Sequence, residues 1–218
     1  STRAIPLVIH WHADVLTDQQ GPVMRLLYRL YRPLEKRLLD RAGAIIATSR
    51  CYLESSDALQ GHLHKCHVVP LGLDPERIMA PDVSLAPSPG PSVTAKFQIL
   101  AIGRLTYYKG FGILIRAMKE LPNSELTVIG QGSLAQELSG LARQLDVEGR
   151  VRFLGGVDDA ELREHLHNCD CLCLPSIERT EAFGLVLLEA MAFGKPTVVS
   201  NVSGSGMGWV VEDGVTGL

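Results

Sequence analysis

The sequence predicts an α/β protein made of two Rossmann-like parallel-sheet domains facing a cleft, the first of them incomplete. Three observations carry this. Short apolar runs rich in β-branched residues alternate with helix-period segments along the 218-residue chain, the pattern of parallel strands covered by helices on both faces. The alternation stops at residues 80–95, a proline-rich, aperiodic stretch that reads as a linker. Finally, the chain enters directly into the strand-like run IPLVIHW and stops at GVTGL, so it is read as a fragment. These observations divide it into residues 1–79, the C-terminal part of a first domain, a linker at 80–95, and a second domain at 96–218 whose end is truncated. The alternative is one domain with a long surface loop.

Taken in order, strands are expected at residues 6–11, 44–47, 67–69, 98–102, 125–129, 150–154, 171–174 and 196–200. Helices are expected at 110–121, 134–145, 160–168 and 185–193. Residues 23–42 form a further, basic amphipathic helix, with Arg25, Arg29, Arg32 and Lys36 at helical spacing and a kink allowed at Pro33. It is either a membrane-surface element or a solvated outer face.

Composition narrows the function classes. A net charge of −3 gives no electrostatic footprint for nucleic acid. Five cysteines, an odd count without a disulfide-like framework, favour a reducing compartment. No apolar run reaches the length of a membrane span. The serine-hydrolase elbow and the phosphate-binding loop of NTPases are both missing.

The richest stretch is RTEAFGLVLLEAMAFGKP at residues 179–196, where Glu181 and Glu189 frame a nearly wholly apolar segment. A buried carboxylate is costly unless something binds it. Residues 185–193 read as a helix, and a helix N-terminus with free N–H groups suits phosphate. Gly184 would let a ligand approach that backbone. Glu181 and Glu189 could then straddle a polyhydroxyl phosphate; otherwise they are a dipole-favoured acid and a solvated one. In AIGRLTYYKGFG, a strand ends at Gly103, and Arg104 and Lys109 flank the loop that follows. Two cations there suit a diphosphate, or are ordinary surface charges. Gly130, Gly132 and Ala135 have the spacing of a dinucleotide-binding turn, but the expected acid downstream is missing. A tight turn near the cleft is the competing reading. His12 ends the first strand and could reach a cleft, or be structural. Cys169, Cys171 and Cys173 are expected on one face of a core strand rather than around a metal.

In this order, GRLTYYKG, VIGQGSLAQEL, VRFLGGV and PSIERTEAFGLVLLEAMAFGKPTVVS resemble the donor domain of glycosyltransferase family 4, whose E-x7-E motif matches Glu181 and Glu189. AGAIIATS and HVVPLGLD look like the end of that family's first domain. WHADV with YRPLEKRLLDRA is most similar to bacterial mannosyltransferases of polysaccharide, O-antigen-type assembly. The resemblance implies the GT-B fold and metal-independent, retaining transfer of a hexose from a nucleotide sugar, GDP-mannose, to a glycan or lipid-linked acceptor. No further cofactor is implied. A UDP-sugar donor and a non-catalytic sugar-nucleotide or glycan-binding relative are the rival readings.

Residue by residue, the resemblance implies that Arg104 and Lys109 hold the donor diphosphate, with Gly103 and Gly130 at the neighbouring strand ends. Glu181 would meet the donor sugar's hydroxyls. Backbone N–H groups of Phe183, Gly184 and Leu185 would meet phosphate or sugar, and Glu189 would bind the ribose. Val157 would lie near the base, and His12 near the acceptor and transferred sugar. The expected location is cytoplasmic, peripheral at the inner face of the membrane through residues 23–42. The family's opening strand with its glycine-rich loop, and its closing segment, lie outside this sequence, so the fragment is expected to turn over poorly or not at all.

Overall fold

The computed structural model describes residues 5–15, 21–75 and 96–218. The expected linker at 80–95 lies outside the described residues. Two parallel sheets are formed. The first has the order β1-β2-β3, from β1 (Val8–Trp11), β2 (Ala44–Ala47) and β3 (Cys66–Val68). β1 and β2 are joined through α1 (Pro22–Arg41), while α2 (Arg50–Ser55) and a 3-10 turn at Gln60–Lys65 lead from β2 to β3. Ser49 starts α2 because its side chain accepts the backbone N–H of Tyr52 at 3.2 Å, the usual work of an N-cap serine. Leu39, Ala42, Ile45, Ala47, Leu53 and Leu59 close the core of this unit.

Helix α1 begins with Pro22 in its first turn, where a missing N–H costs nothing, and continues through Pro33. It buries only Glu35 and Leu39. Its apolar residues are otherwise outward, Leu26 at 59% and Leu30 at 70% exposure. Among the described residues, no helix is long and apolar enough to cross a membrane.

The second sheet has the order β6-β5-β4-β7-β8, all parallel. Its strands are β4 (Phe97–Ile102), β5 (Ser124–Ile129), β6 (Val151–Gly155), β7 (Cys171–Leu174) and β8 (Thr197–Val199). Its helices are α3 (Phe111–Ala117), α4 (Ala135–Gln144), α5 (Asp159–Asn168), α6 (Leu185–Ala192) and α7 (Met207–Val210). Side-chain alternation divides the strands between two cores. Ile99 and Ala101 of β4 face Leu114, Ile115, Leu138 and Ala142, while Leu100 faces Leu166, Leu187 and Met207. This is a doubly wound sheet. Its strand order reverses between β4 and β7, where such sheets open a crevice at their carboxyl ends.

Several expected bounds shift: β1 starts at Val8 rather than residue 6, and β8 is trimmed to Thr197–Val199. Helix α3 stops at Ala117 rather than 121, because Lys119 N–H and Glu120 N–H close tighter i→i−3 bonds to Arg116 and Ala117 at 3.2 and 3.0 Å. Pro122 follows and disfavours helix at Leu121. The third strand begins a residue early, at Cys66. Cys169 is not on the strand: it ends α5 and packs in the core with Leu166, whereas Cys171 and Cys173 pack on the sheet's opposite face. Burial pushes the Cys171 thiol up to about 12 and those of Cys169 and Cys173 up to about 11, which leaves all three inert at neutral pH.

Candidate functional site

The crevice between β4 and β7 is built by two loops. After Ile102 the chain passes Gly103 and Arg104, makes a 3-10 turn at Tyr107–Lys109, and enters α3. After Leu174 it runs through residues 175–184 into α6. The loops are tied together. Ile177 N–H donates to the Tyr108 carbonyl at 2.8 Å, and the Tyr107 hydroxyl donates to Glu178 Oε2 at 2.8 Å. Burial, followed by the hydrogen bond and charge of Glu178, pushes the Tyr107 hydroxyl up to about 12, so it stays a donor at neutral pH. Gly110 sits where they touch: its φ is 69°, and a Cβ there would lie 1.9 Å from the Pro175 carbonyl oxygen. Only glycine permits that approach.

The third tie is chemical. Lys109 Nζ forms an ion pair with Glu181 Oε2, the two side chains being 11% and 12% exposed. Ser176 Oγ donates to the same carboxylate oxygen at 3.0 Å, and Ser205 Oγ donates to the Glu181 carbonyl. The sequence reading gave Lys109 and Glu181 separate duties; the structure joins them. Gly103 lies under this pair, since a Cβ on it would stand 3.1 Å from Lys109 Cε. Arg104 is exposed beside them and donates to the Tyr108 hydroxyl at 3.0 Å.

Gly184, left-handed at φ 82°, starts α6 next to this cluster. Phe183 before it turns its ring into the core against Trp209, with ring centroids 6.0 Å apart, so only its backbone is available to a ligand. Leu185 opens the helix. Glu189, one turn on, is only 6% exposed. That removes the solvated-acid alternative for this residue.

Gly130 and Gly132 have a packing reason for being glycine. A Cβ on Gly130 would meet the Gly103 carbonyl oxygen at 1.9 Å, and one on Gly132 the Leu105 carbonyl oxygen at 2.4 Å. The β5 turn is thereby pressed against the β4 loop, the tight turn the sequence allowed as its alternative. Val157 is half-buried against the Leu100 and Leu166 core, just after the β6 turn.

His12 stands on the other unit, exposed at the end of β1, its ring 4.1 Å from that of His10. Burial, and after it the charge of His12, hold His10 below the usual imidazole value. The units meet nearby. Asp14 Oδ2 pairs with Arg179 Nη2 at 2.7 Å, and Ser55 Oγ donates to the Gly204 carbonyl at 3.1 Å. Sequence reasoning missed Ser176, Arg179, Ser205 and Asp14. Ser176 and Arg179 could have been found beside Glu181 in one stretch; Asp14 could not, because only the tertiary fold brings it there. Among the described residues, no three His, Cys, Asp or Glu side chains converge as a metal-ligand set.

Two parallel α/β sheets with a cluster of this kind at one carboxyl edge define a GT-B glycosyltransferase fold. The family profile described as "Glycosyl transferases group 1" matches residues 87–218, and that of "Glycosyl transferase 4-like domain" matches residues 1–72. The chain belongs to the group 1 glycosyl transferases. It is similar to the D-rhamnosyltransferase WbpZ of Pseudomonas aeruginosa, 33% identical over 98% of this chain and 53% of that protein. It is also similar to the O-antigen chain mannosyltransferase C of Escherichia coli, 30% identical over 96% of this chain and 54% of that protein. The chain thus spans about half the length of these curated relatives. Among solved structures, Anabaena Alr3699/HepE in complex with UDP and glucose superposes with a TM-score of 0.74 at 27% identity, covering 98% of this chain and 57% of that one.

Proposed function

We propose that the protein is the catalytic part of a retaining, metal-independent glycosyltransferase. It moves mannose from GDP-mannose to a glycan or lipid-linked acceptor during cell-surface polysaccharide assembly. The observation that carries the reading is the Lys109–Glu181 pair at the switch point of a doubly wound sheet, beside the N-terminus of α6. A departing nucleoside diphosphate gains charge in the transition state, and fixed cations with helix-end amides stabilise it without reorganising. The Lys109 ammonium has three donors, so it can hold Glu181 and a phosphate oxygen together. Arg104 adds a second, exposed cation with a planar donor set suited to phosphate. Gly103 leaves room for the Lys109 side chain that would meet the diphosphate, and Gly130 lets the β5 turn press against the β4 loop.

In this reading Glu181 accepts hydrogen bonds from the transferred sugar, its carboxylate held in place by Lys109 and Ser176. Backbone N–H groups of Phe183, Gly184 and Leu185 meet phosphate or sugar. Glu189 binds the ribose hydroxyls, Val157 lies by the base, and His12 serves the acceptor and transferred sugar from the first domain. The mannosyltransferase relative supports the mannose assignment. The protein works in the cytoplasm, with the basic face of α1 against an anionic membrane surface.

A second reading, a UDP-sugar donor, is favoured by the likeness to HepE solved with UDP-glucose, TM-score 0.74 at 27% identity. Donor consumption by the full-length protein, with GDP-mannose and UDP-glucose in parallel, tests both. Hydrolysis or transfer of GDP-mannose alone supports the first, and of UDP-glucose alone the second. Turnover of neither would leave the protein a non-catalytic relative.

A further inference from the structure

We propose that Arg179 and Asp14 are a positioning pair that sets the His12 segment against the Glu181 loop in the one placement that transfer needs. The inference rests on the transferase reading above. Asp14 lies two residues past His12, and Arg179 two residues before Glu181. Their ion pair, 2.7 Å between Oδ2 and Nη2, is therefore a direct non-covalent tie between the two candidate catalytic segments.

The pair is enclosed, and Asp14 is anchored within its own unit. The Asp14 side chain is 7% exposed and that of Arg179 19%. Asp14 Oδ1 accepts from Trp11 Nε1 at 2.8 Å and from Ser56 Oγ at 2.6 Å, and the Asp14 N–H donates to the Tyr52 hydroxyl. The Arg179 guanidinium lies 5.7 Å from the centroid of the Tyr52 ring. Burial raises the Tyr52 hydroxyl to about 12, with Asp14 adding to it, so the phenol is neutral while it holds the loop. Beside it, Gly204 fits against Ser55 so closely that a Cβ there would lie 2.6 Å from Ser55 Cβ.

Removing either partner of such a pair leaves the other charge uncompensated in a mostly buried site, so each side chain depends on the other. Arginine suits the position, since its flat guanidinium can bond a carboxylate and lie against an aromatic ring together. The first domain presents Trp11, Asp14, Tyr52 and Ser56 to receive one side chain from the donor loop. Such a socket converts domain placement into the position of Glu181, two residues away. A misplacement of about 1 Å can cost on the order of a hundredfold in rate.

The test uses the full-length protein with Asp14→Asn, Arg179→Gln and both together. Asp14→Asn keeps the side chain's size and its acceptor for Trp11 and Ser56, so it retains the fold. Three results are expected. Each single change lowers kcat, by on the order of a hundredfold, while nucleotide Kd stays at the wild-type value. The double variant is no slower than the slower single one, as for residues acting as one unit. Nitroxide labels on exposed Cys51 and on Lys119→Cys report a broadened distance between the units. Rate losses that multiply in the double variant, or an unchanged distance distribution, would overturn the proposal. If the wild-type protein transfers nothing, the transferase reading falls, and the label distances alone still decide whether the pair sets domain placement.

Discussion

Lys109 and Glu181, which are far apart in sequence, form a nearly buried ion pair across the crevice between β4 and β7. The pair fastens the two loops that the strand-order reversal leaves side by side. Breaking such a pair from one side strands the other charge, at a cost of about 3 kcal/mol. Lys109→Ala should therefore lower the urea midpoint of unfolding and also reduce transfer by on the order of a hundredfold. Arg104→Ala should reduce transfer comparably while leaving the midpoint in place, because Arg104 is exposed and bonds only the Tyr108 hydroxyl among its described contacts. Near-normal turnover in either variant would remove the diphosphate assignment.

Glu189 is buried on α6, and its proposed role is to accept the ribose hydroxyls. Hydrogen bonds to a charged group contribute about 1.5–3 kcal/mol. Glu189→Ala should then weaken nucleotide binding about tenfold to a hundredfold, read by calorimetry on a sample whose melting curve shows it folded. An unchanged Kd would argue against the ribose role.

Gly130 tests the packing reading of the glycine-rich turn. An alanine there would drive its methyl into the Gly103 carbonyl, 1.9 Å away, at a φ of 142°. Overpacking of this order costs about 1–3 kcal/mol. Gly130→Ala should melt measurably lower than the parent in calorimetry. Gly140→Ala, which meets nothing within 4 Å, is the control and should not melt lower.

Helix α1 offers Arg25, Arg29, Arg32 and Lys36 together with outward Leu26, Leu27 and Leu30. Each basic residue near an anionic surface contributes about 1 kcal/mol, which salt screens. The full-length protein should sediment with phosphatidylserine vesicles at low salt and be released at high salt. Leu30→Asp should weaken the association. Indifference to such vesicles at low salt would remove the membrane role.

Much of this was legible in the sequence, for identifiable reasons. Parallel strands buried on both faces read as apolar runs, so β4, β5 and β7 were found within a residue of their ends. The motif residues near Glu181 announced themselves because a carboxylate in an apolar stretch needs a reason. The Lys109–Glu181 partnership did not show, since spacing says nothing about which strands become neighbours. Nor did the Asp14–Arg179 contact, which exists only once both units are folded. The first turn of α5 was within reach: Asp158 and Glu161 form a capping box. Cys169 misled because alternation cannot show where a helix hands over to a strand.

The carboxyl edge between β4 and β7 is the proposed nucleotide-sugar site. Calorimetric titration with GDP, GDP-mannose, UDP and UDP-glucose tests it most directly. Saturable binding of GDP and GDP-mannose that is weakened in Glu189→Ala is the predicted result; a UDP preference with the same weakening would keep the site and change the donor. A folded protein that binds none of the four, or binds them equally well without Glu189, would contradict the account.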